Sequence, residues 1–318
     1  MNKRVNRRTF LAASAAAGLG LAAAPHLRGE EPKLKTNLKK AMIVGRPNEG
    51  NLRPLKDAGF DGVETGDWRA SDADAAASRD AAEKLGMRVQ SVLYGWAGYN
   101  TKDPNVADME KALRAAKAYG ADAVLLVPCR IGGMPMPEAW EFQIEFDQET
   151  GHLVKVVAGD NEKYKAYIDA HNQAVDGSIA GVKKLIPVAE ETKVVIALEN
   201  VWNNLWVNPE YFAAFVGMFK NPRVKAYFDI GNHVKYAPPQ EWIRALGGLL
   251  AKLHVKDFKL KSDGHGGDFV NIRDGSVNWP VVRKALDDVG YSGWMTIEGG
   301  SCSLQEHSKR LDLIIAGQ

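Results

Sequence analysis

The chain alternates between short apolar runs and longer segments of helical periodicity. Four of the runs end on a residue able to hold a cation: Val194-Val195-Ile196-Ala197-Leu198-Glu199, Val224-Lys225-Ala226-Tyr227-Phe228-Asp229, Ala251-Lys252-Leu253-His254 and Trp294-Met295-Thr296-Ile297-Glu298. Each is rich in β-branched and aromatic residues and bounded by turn residues, which predicts a buried strand. A strand–helix repeat of this kind builds a parallel sheet with its loops gathered at one end. The four polar residues all fall at the C-terminal ends of their strands. In a closed (β/α)8 barrel that end is the catalytic face.

The same rhythm runs through the first half. Strands are predicted at Lys39–Gly45, Phe60–Gly66, Arg88–Tyr94 and Ala123–Pro128, and helices at Leu52–Gly59, Asp72–Gly86 and Val106–Gly120, each closed by a glycine stop. Repetition of one supersecondary unit favours one barrel over two domains. Residues 130–160 are too long for a barrel loop. There Trp140, Phe142, Ile144 and Phe146 alternate with polar residues, and Leu153-Val154-Lys155-Val156-Val157 follows a turn at Gln148–Gly151, which predicts a β-hairpin insertion after strand 4, a lid or an oligomer contact. Further helices are predicted at Tyr164–Glu191, Pro209–Phe219, Trp242–Leu250, Trp279–Val289 and Leu304–Ile315, with a Gly- and Asp-rich loop at Ser262–Gly275. The expectation is an α/β protein: a single-domain (β/α)8 TIM barrel over residues 39–318, against about 250 residues for a typical barrel.

Charge and composition narrow the function. The chain has 41 basic and 39 acidic residues, but the first 28 carry five bases and no acid, leaving 36 against 39. A slightly acidic body lacks the basic footprint of a nucleic-acid binder. With only Cys129 and Cys302, neither a disulfide framework nor a thiolate zinc site is available. They follow strands 4 and 8, on opposite sides of a barrel, which predicts two free thiols. At the start, Arg7-Arg8-Thr9-Phe10-Leu11 precedes an Ala-rich apolar stretch, Ala12–Ala24. A basic head, apolar middle and small-residue end make residues 1–28 an export signal resembling the twin-arginine type, which predicts a periplasmic or secreted protein exported already folded. The apolar stretch is too short for a membrane span.

Taken singly, a Glu after a strand is ordinarily a cap or a surface charge, and a His in an apolar strand a core residue. The recurrence in four successive strands is what singles these out. Alternation places Glu199 on one face with Ala197 and Val195, Asp229 with Tyr227, and Glu298 with Thr296. If His254 points inward, so does Lys256. Glu199, Asp229, His254 and Glu298 together make a mixed nitrogen and oxygen ligand set for one divalent ion, compatible with Mn, Mg, Co or Zn. A sugar bound there would have its oxygens polarised by the ion, with one of Glu199 and Glu298 taking a carbon-bound proton and the other returning it on the opposite face. His233 and Lys256 are candidates for holding substrate hydroxyls. Glu64 shares an inward face with Gly62 and Gly66, and Trp68, Tyr94 and Trp96 are placed near the same mouth, where sugars stack on aromatic faces.

The segments Ala197-Leu198-Glu199-Asn200, Phe228-Asp229-Ile230-Gly231-Asn232-His233, Leu253-His254-Val255-Lys256-Asp257 and Thr296-Ile297-Glu298 resemble the signatures of the sugar phosphate isomerase/epimerase family, the xylose isomerase-like barrels. Phe60-Asp61-Gly62-Val63-Glu64, Asp274–Trp279 and Gly290–Trp294 are similar to its strand 2, late loop and last strand entry. The resemblance spans roughly Lys39 to the C-terminus. It implies that Glu199 and Glu298 bind metal and act as the acid–base pair, with Asp229 and His254 completing the ligand set. In ketose 3-epimerases of this family a histidine follows the strand 6 Asp by three residues; here His233 follows by four. The resemblance implies a metal-dependent sugar isomerase or epimerase acting on a small sugar or polyol-derived substrate, and is compatible with a homo-oligomer. The alternatives are a hydro-lyase on a keto-inositol or keto-sugar using the same metal site and, of another class, a non-catalytic sugar-binding barrel. A type IV apurinic endonuclease shares the barrel but needs several more His ligands than a chain with seven His in all supplies.

Overall fold

A computed structural model describes residues 34–318; the export signal expected over residues 1–28 lies outside them. Eight parallel strands close into a barrel: β1 (Leu38–Val44), β2 (Gly62–Thr65), β3 (Arg88–Trp96), β4 (Ala123–Val127), then, after a two-stranded insertion, β7 (Val195–Glu199), β8 (Val224–Asp229), β9 (Leu250–Val255) and β12 (Gly293–Ile297). Around the ring the order is β1-β12-β9-β8-β7-β4-β3-β2. The insertion is β5 (Glu145–Phe146) paired with β6 (Leu153–Lys155). A second antiparallel pair, β10 (Asp257–Leu260) with β11 (Gly267–Val270), leaves the end of β9.

Eight α-helices flank the barrel among the described residues: α1 (Glu49–Asp57), α2 (Asp72–Lys84), α3 (Ala107–Tyr119), α4 (Lys165–Thr192), α5 (Pro209–Gly217), α6 (Pro239–Leu246), α7 (Trp279–Asp288) and α8 (Leu304–Ile315). Their starts follow local chemistry. Asn48, Ser71, Asn208, Asn278 and Ser303 each accept a hydrogen bond from a first-turn backbone N–H. Helix α3 stops at Gly120, in the left-handed region at φ 73°. The helix expected at Trp242–Leu250 begins earlier, because Pro239 fits a first helical turn, and ends earlier, at Gly247-Gly248. Leu250 consequently opens β9.

Two layers of core result. The larger lies between barrel and helices and holds Phe212, Phe228 and Trp242, all fully buried. The smaller lies inside the barrel, from Ala123, Leu125, Val127, Ala197 and Tyr227. The alternation is the one the sequence predicts: Ala197 and Tyr227 face in, Leu198 and Phe228 face out. The rest of the interior is polar. Glu64, Gln90, Ser91, Lys252, His254 and Thr296 are all buried there.

Candidate metal centre and active site

The strands bring Glu199, Asp229, His254 and Glu298 together at the C-terminal end of the barrel, with one ligand-capable atom of each within 4.8 Å of all the others. The four do not lie on one level. Asp229 pairs with His254, but Glu199 pairs with Tyr227, and the partner of His254 on β12 is Thr296, two residues before Glu298. The stagger of a closed barrel lifts these different levels into one cluster.

Asp229 and His254 are held from behind. The Asp229 Oδ1 accepts hydrogen bonds from the backbone N–H groups of Gly231 (2.8 Å) and Asn232 (2.7 Å). Asn200 clamps the Asp229 backbone, its Nδ2 donating to the Asp229 carbonyl at 2.9 Å and its Oδ1 accepting from the Asp229 N–H at 2.6 Å. Asp229 Oδ2 is buried without a hydrogen-bond partner. Glu298 Oε2 lies 2.7 Å from His254 Nδ1 without the alignment of a hydrogen bond. Glu199 Oε1 is 3.2 Å from the same Nδ1. On the far side of the ring, His254 Nε2 lies 2.6 Å from Glu64 Oε2, while Glu64 Oε1 accepts from Ser91 at 2.8 Å. With Nε2 engaged by Glu64, Nδ1 is the ring nitrogen that faces Glu199 and Glu298.

The electrostatics describe three carboxylates crowded round too little positive charge. Burial raises Glu199, and burial raises Asp229 to about 7 despite nearby Lys256. Burial opposes the charge on Glu298, yet His254 and Lys256 hold it below the usual carboxylate range. Burial likewise opposes the charge on His254, but Tyr227, Glu298 and Glu64 hold it well above an ordinary histidine. A divalent cation fits this donor set: an orphaned buried oxygen, a second carboxylate oxygen without an aligned donor and an imidazole nitrogen converge on one volume.

Lys256 belongs to the same site. Its Nζ is 2.9 Å from Glu298 Oε1, 3.5 Å from Asp229 Oδ2 and 3.4 Å from Asn232 Oδ1. Gly231 makes room for it: a Cβ there would stand 2.6 Å from Lys256 Cβ. The other candidates are placed elsewhere. Glu64 is sealed within the barrel as the partner of His254, with no face toward the mouth. His233 lies in the outer layer, its ring against Tyr236 and Trp242 and its Nε2 on the Val201 carbonyl at 3.0 Å. The four-residue spacing from Asp229 carries it past the mouth into the helical shell, so the geometry gives it a packing role in place of substrate contact. Trp68 packs on Tyr94 beneath the Arg69 guanidinium and lines a cleft between α2 and α3. Trp96 stands half-exposed at the end of β3.

Asn200, Ser91 and Asp257 support the site without having been singled out in the sequence. Asp257 accepts hydrogen bonds from the backbone N–H groups of Arg273, Gly275 and Val277 and from Trp279 Nε1, pinning the loop after β11. The one signal available was adjacency: Asn200 follows Glu199, and Asp257 follows Lys256. Ser91 is brought opposite Glu64 by a register shift between β2 and β3, which no periodicity announces.

A closed ring of eight parallel strands with a cation-competent cluster at its C-terminal end defines a (β/α)8 barrel with a candidate metal site at its mouth. The model of the xylose isomerase-like TIM barrel family matches residues 52–312, and the chain belongs to that family. Among solved structures it is similar to the D-allulose 3-epimerase of a Methylomonas species, with 15% identity, a TM-score of 0.62, and coverage of 90% of this chain and 99% of that one. It is also similar to the 3-keto-D-glucoside 4-epimerase YcjR of E. coli, with 14% identity, a TM-score of 0.61, and coverage of 88% and 100%. At these identities the likeness is one of fold. Among curated proteins it is 24% identical over 133 residues to the uncharacterized protein MJ1311 of Methanocaldococcus jannaschii, over 40% of this chain and 44% of that protein, so it spans less than half the length of that relative.

Proposed function

We propose that this chain is a divalent-metal-dependent sugar isomerase or epimerase that moves a proton on the carbon next to a carbonyl. The observation that carries the proposal is the convergence of Glu199, Asp229, His254 and Glu298 within 4.8 Å, with a buried Asp229 oxygen that accepts no hydrogen bond among them. Two of the proteins that share the fold are named as sugar epimerases, which supports the substrate class.

In this reading all four residues would hold the cation, one of Mn, Mg, Co or Zn. When bound, the ion would polarise substrate oxygens and lower the cost of charge building up beside the carbonyl. The remaining work falls to side chains. Glu199 and Glu298 come from strands three places apart round the ring. A sugar lying between them presents opposite faces of one carbon, so one carboxylate takes the proton and the other delivers one from the far side. The Lys256 ammonium, already at Glu298, serves as a fixed donor to a substrate oxygen. The burial of Asp229 and His254 keeps water from competing at the reacting carbon.

The export signal over residues 1–28 remains part of this proposal, and places the enzyme outside the cytoplasm. Among the described residues no helix is long and apolar enough to cross a membrane. The test of function is solvent deuterium incorporation into a panel of ketoses and keto-glycosides, with metal added and removed. Exchange should require metal and should stop in Glu298→Gln. A metal-loaded protein that exchanges no substrate hydrogen, across the panel, would point to a sugar-binding barrel.

A further inference from the structure

Beside the cation cluster lies an open cleft of about 450 Å³, lined among others by Lys259, Phe269, Asn271, Asp274, Gly300 and Ser301. That is the size of an ordinary small-molecule pocket, typically about 300–1,000 Å³. None of these residues belongs to the cluster, yet the cleft adjoins it. Lys256 Nζ, which touches Glu298, is 5.4 Å from the centre of the Phe269 ring. Gly300 and Ser301 lie two and three residues past Glu298 on the same chain segment.

The cleft is built from tied-down parts. Its β10–β11 wall is a four-pair ladder from Asp257↔Val270 to Leu260↔Gly267. The Ser301 N–H donates to Asn271 Oδ1 at 2.7 Å, joining the loop after β12 to the loop after β11. Arg310 holds that second loop by donating to the Ile272 carbonyl at 2.7 Å and pairing with Asp274 at 2.8 Å. Gly275 lies so close to Asp257 that a Cβ would sit 2.0 Å from its Oδ1.

On this fixed frame one aromatic ring is left uncovered. Phe269 packs against Trp202 and Phe258, at 5.1 and 5.2 Å between centroids, but remains 46% exposed. A Phe held rigidly at the wall of a cleft offers apolar surface whose covering by a ligand ring is favourable. Beside it, the Lys259 ammonium and the Asn271 Nδ2 have no hydrogen-bond or ion-pair partner among the described residues. An aromatic face flanked by uncommitted donors matches a sugar ring, which offers C–H groups on its faces and hydroxyls at its rim.

We infer that this cleft is a second subsite, taking the glycosidic substituent or second ring of a substrate whose keto-sugar sits at the cation cluster. The substituent lies on Phe269, with its hydroxyls toward Lys259 and Asn271. The inference rests on the sugar-epimerase reading and narrows it: the substrate is a glycosylated keto-sugar, because a free monosaccharide at the cluster would leave Phe269 bare.

The test uses the Mn-loaded full chain and two matched pairs: fructose against isomaltulose, and 3-keto-glucose against its phenyl β-glycoside. Dissociation constants are measured by calorimetry, and proton exchange by deuterium incorporation. The glycosylated member should bind about tenfold more tightly, as a stacked ring of roughly 1.4 kcal/mol would give. Phe269→Ala should erase that preference and leave the affinity for the monosaccharide unchanged, while the packing of the ring on Trp202 and Phe258 shifts the melting curve only modestly and equally with and without ligand. Equal affinities within each pair, or equal weakening of both members by Phe269→Ala, would overturn the subsite. Exchange without preference would leave the epimerase reading standing and the subsite fallen. Preference without exchange would keep the subsite and remove the catalytic reading, and absence of both would remove both.

Discussion

His254 Nε2 meets Glu64 Oε2 at 2.6 Å inside the barrel, joining β9 to a strand three places away round the ring. The contact fixes the ring's orientation and leaves Nδ1 as the nitrogen that faces the cluster. A histidine ligand held this way is both oriented and made more basic. Glu64→Gln should therefore keep the fold but weaken cation binding by about 10–100-fold, measured by competition with a chelator. An unchanged dissociation constant would reduce Glu64 to a packing residue.

Glu298→Gln keeps size and shape and loses the proton-carrying group. General acid–base catalysis is worth about 10²–10⁴-fold, and deuterium exchange should fall by at least about that lower bound. Asp229→Asn should act differently: it removes a carboxylate from a fully buried member of the proposed ligand set, so bound metal after dialysis, read by elemental analysis, should drop. Metal retention equal to the parent protein would take Asp229 out of the ligand set.

Acid should unfold the protein through buried neutral histidines. Burial lowers His171 to about 4 and His233 to about 3. In the unfolded chain each titrates near its ordinary value of 6.5. Between pH 6.5 and 4 the unfolded state binds protons that the folded state refuses, so stability falls as pH drops through that window. His171 alone accounts for about 3 kcal/mol by pH 4, at about 1.4 kcal/mol per unit. Asp229, raised to about 7 by burial, works in the opposite direction over the same window, so the test is a difference: the fall in urea midpoint from pH 7 to pH 5 should be smaller in His171→Gln than in the parent protein, and an equal pH dependence in the two would contradict the assignment.

Two tryptophans should respond oppositely to truncation. Trp242 is fully buried against Phe212, Phe228 and His233. Trp242→Ala should cost about 3–5 kcal/mol of stability. Trp96, 49% exposed, should cost within about 0.5 kcal/mol when replaced by Ala. Denaturant melts of the two variants decide this, and a larger loss at Trp96 would mean that it packs on something else.

Most of the barrel was readable because each strand is a short apolar run ended by a glycine or a polar residue, and each helix has its own stop. The β10–β11 pair was not. Asp257–Leu260 and Gly267–Val270 are four residues each, carry Asp and Gly, and lie within a stretch of turn-like composition. The first insertion forms a shorter hairpin than its alternating pattern predicts: of Trp140–Phe146 only Glu145 and Phe146 pair with the second strand. Within the site, inward alternation placed Glu199, Asp229 and Glu298, since it is a local property of each strand. The partnership of Glu64 with His254 depends on ring closure and shear, and His233 depends on where a loop turns after β8. Neither is encoded in spacing.

Six close contacts run from one end of the barrel to the other: Asp122 to Lys252 at 2.6 Å, Lys252 Nζ to the Gln90 carbonyl at 3.0 Å, Gln90 Nε2 to Ser91 at 2.5 Å, Ser91 to Glu64 at 2.8 Å, Glu64 to His254 at 2.6 Å, and His254 to Glu298 at 2.7 Å. Such barrels ordinarily divide labour, with durability at the bottom and chemistry at the top. Here a single polar spine connects the two floors. The surface-facing Asp122 thus stands at one end of a continuous run of polar contacts whose other end is the candidate cation cluster.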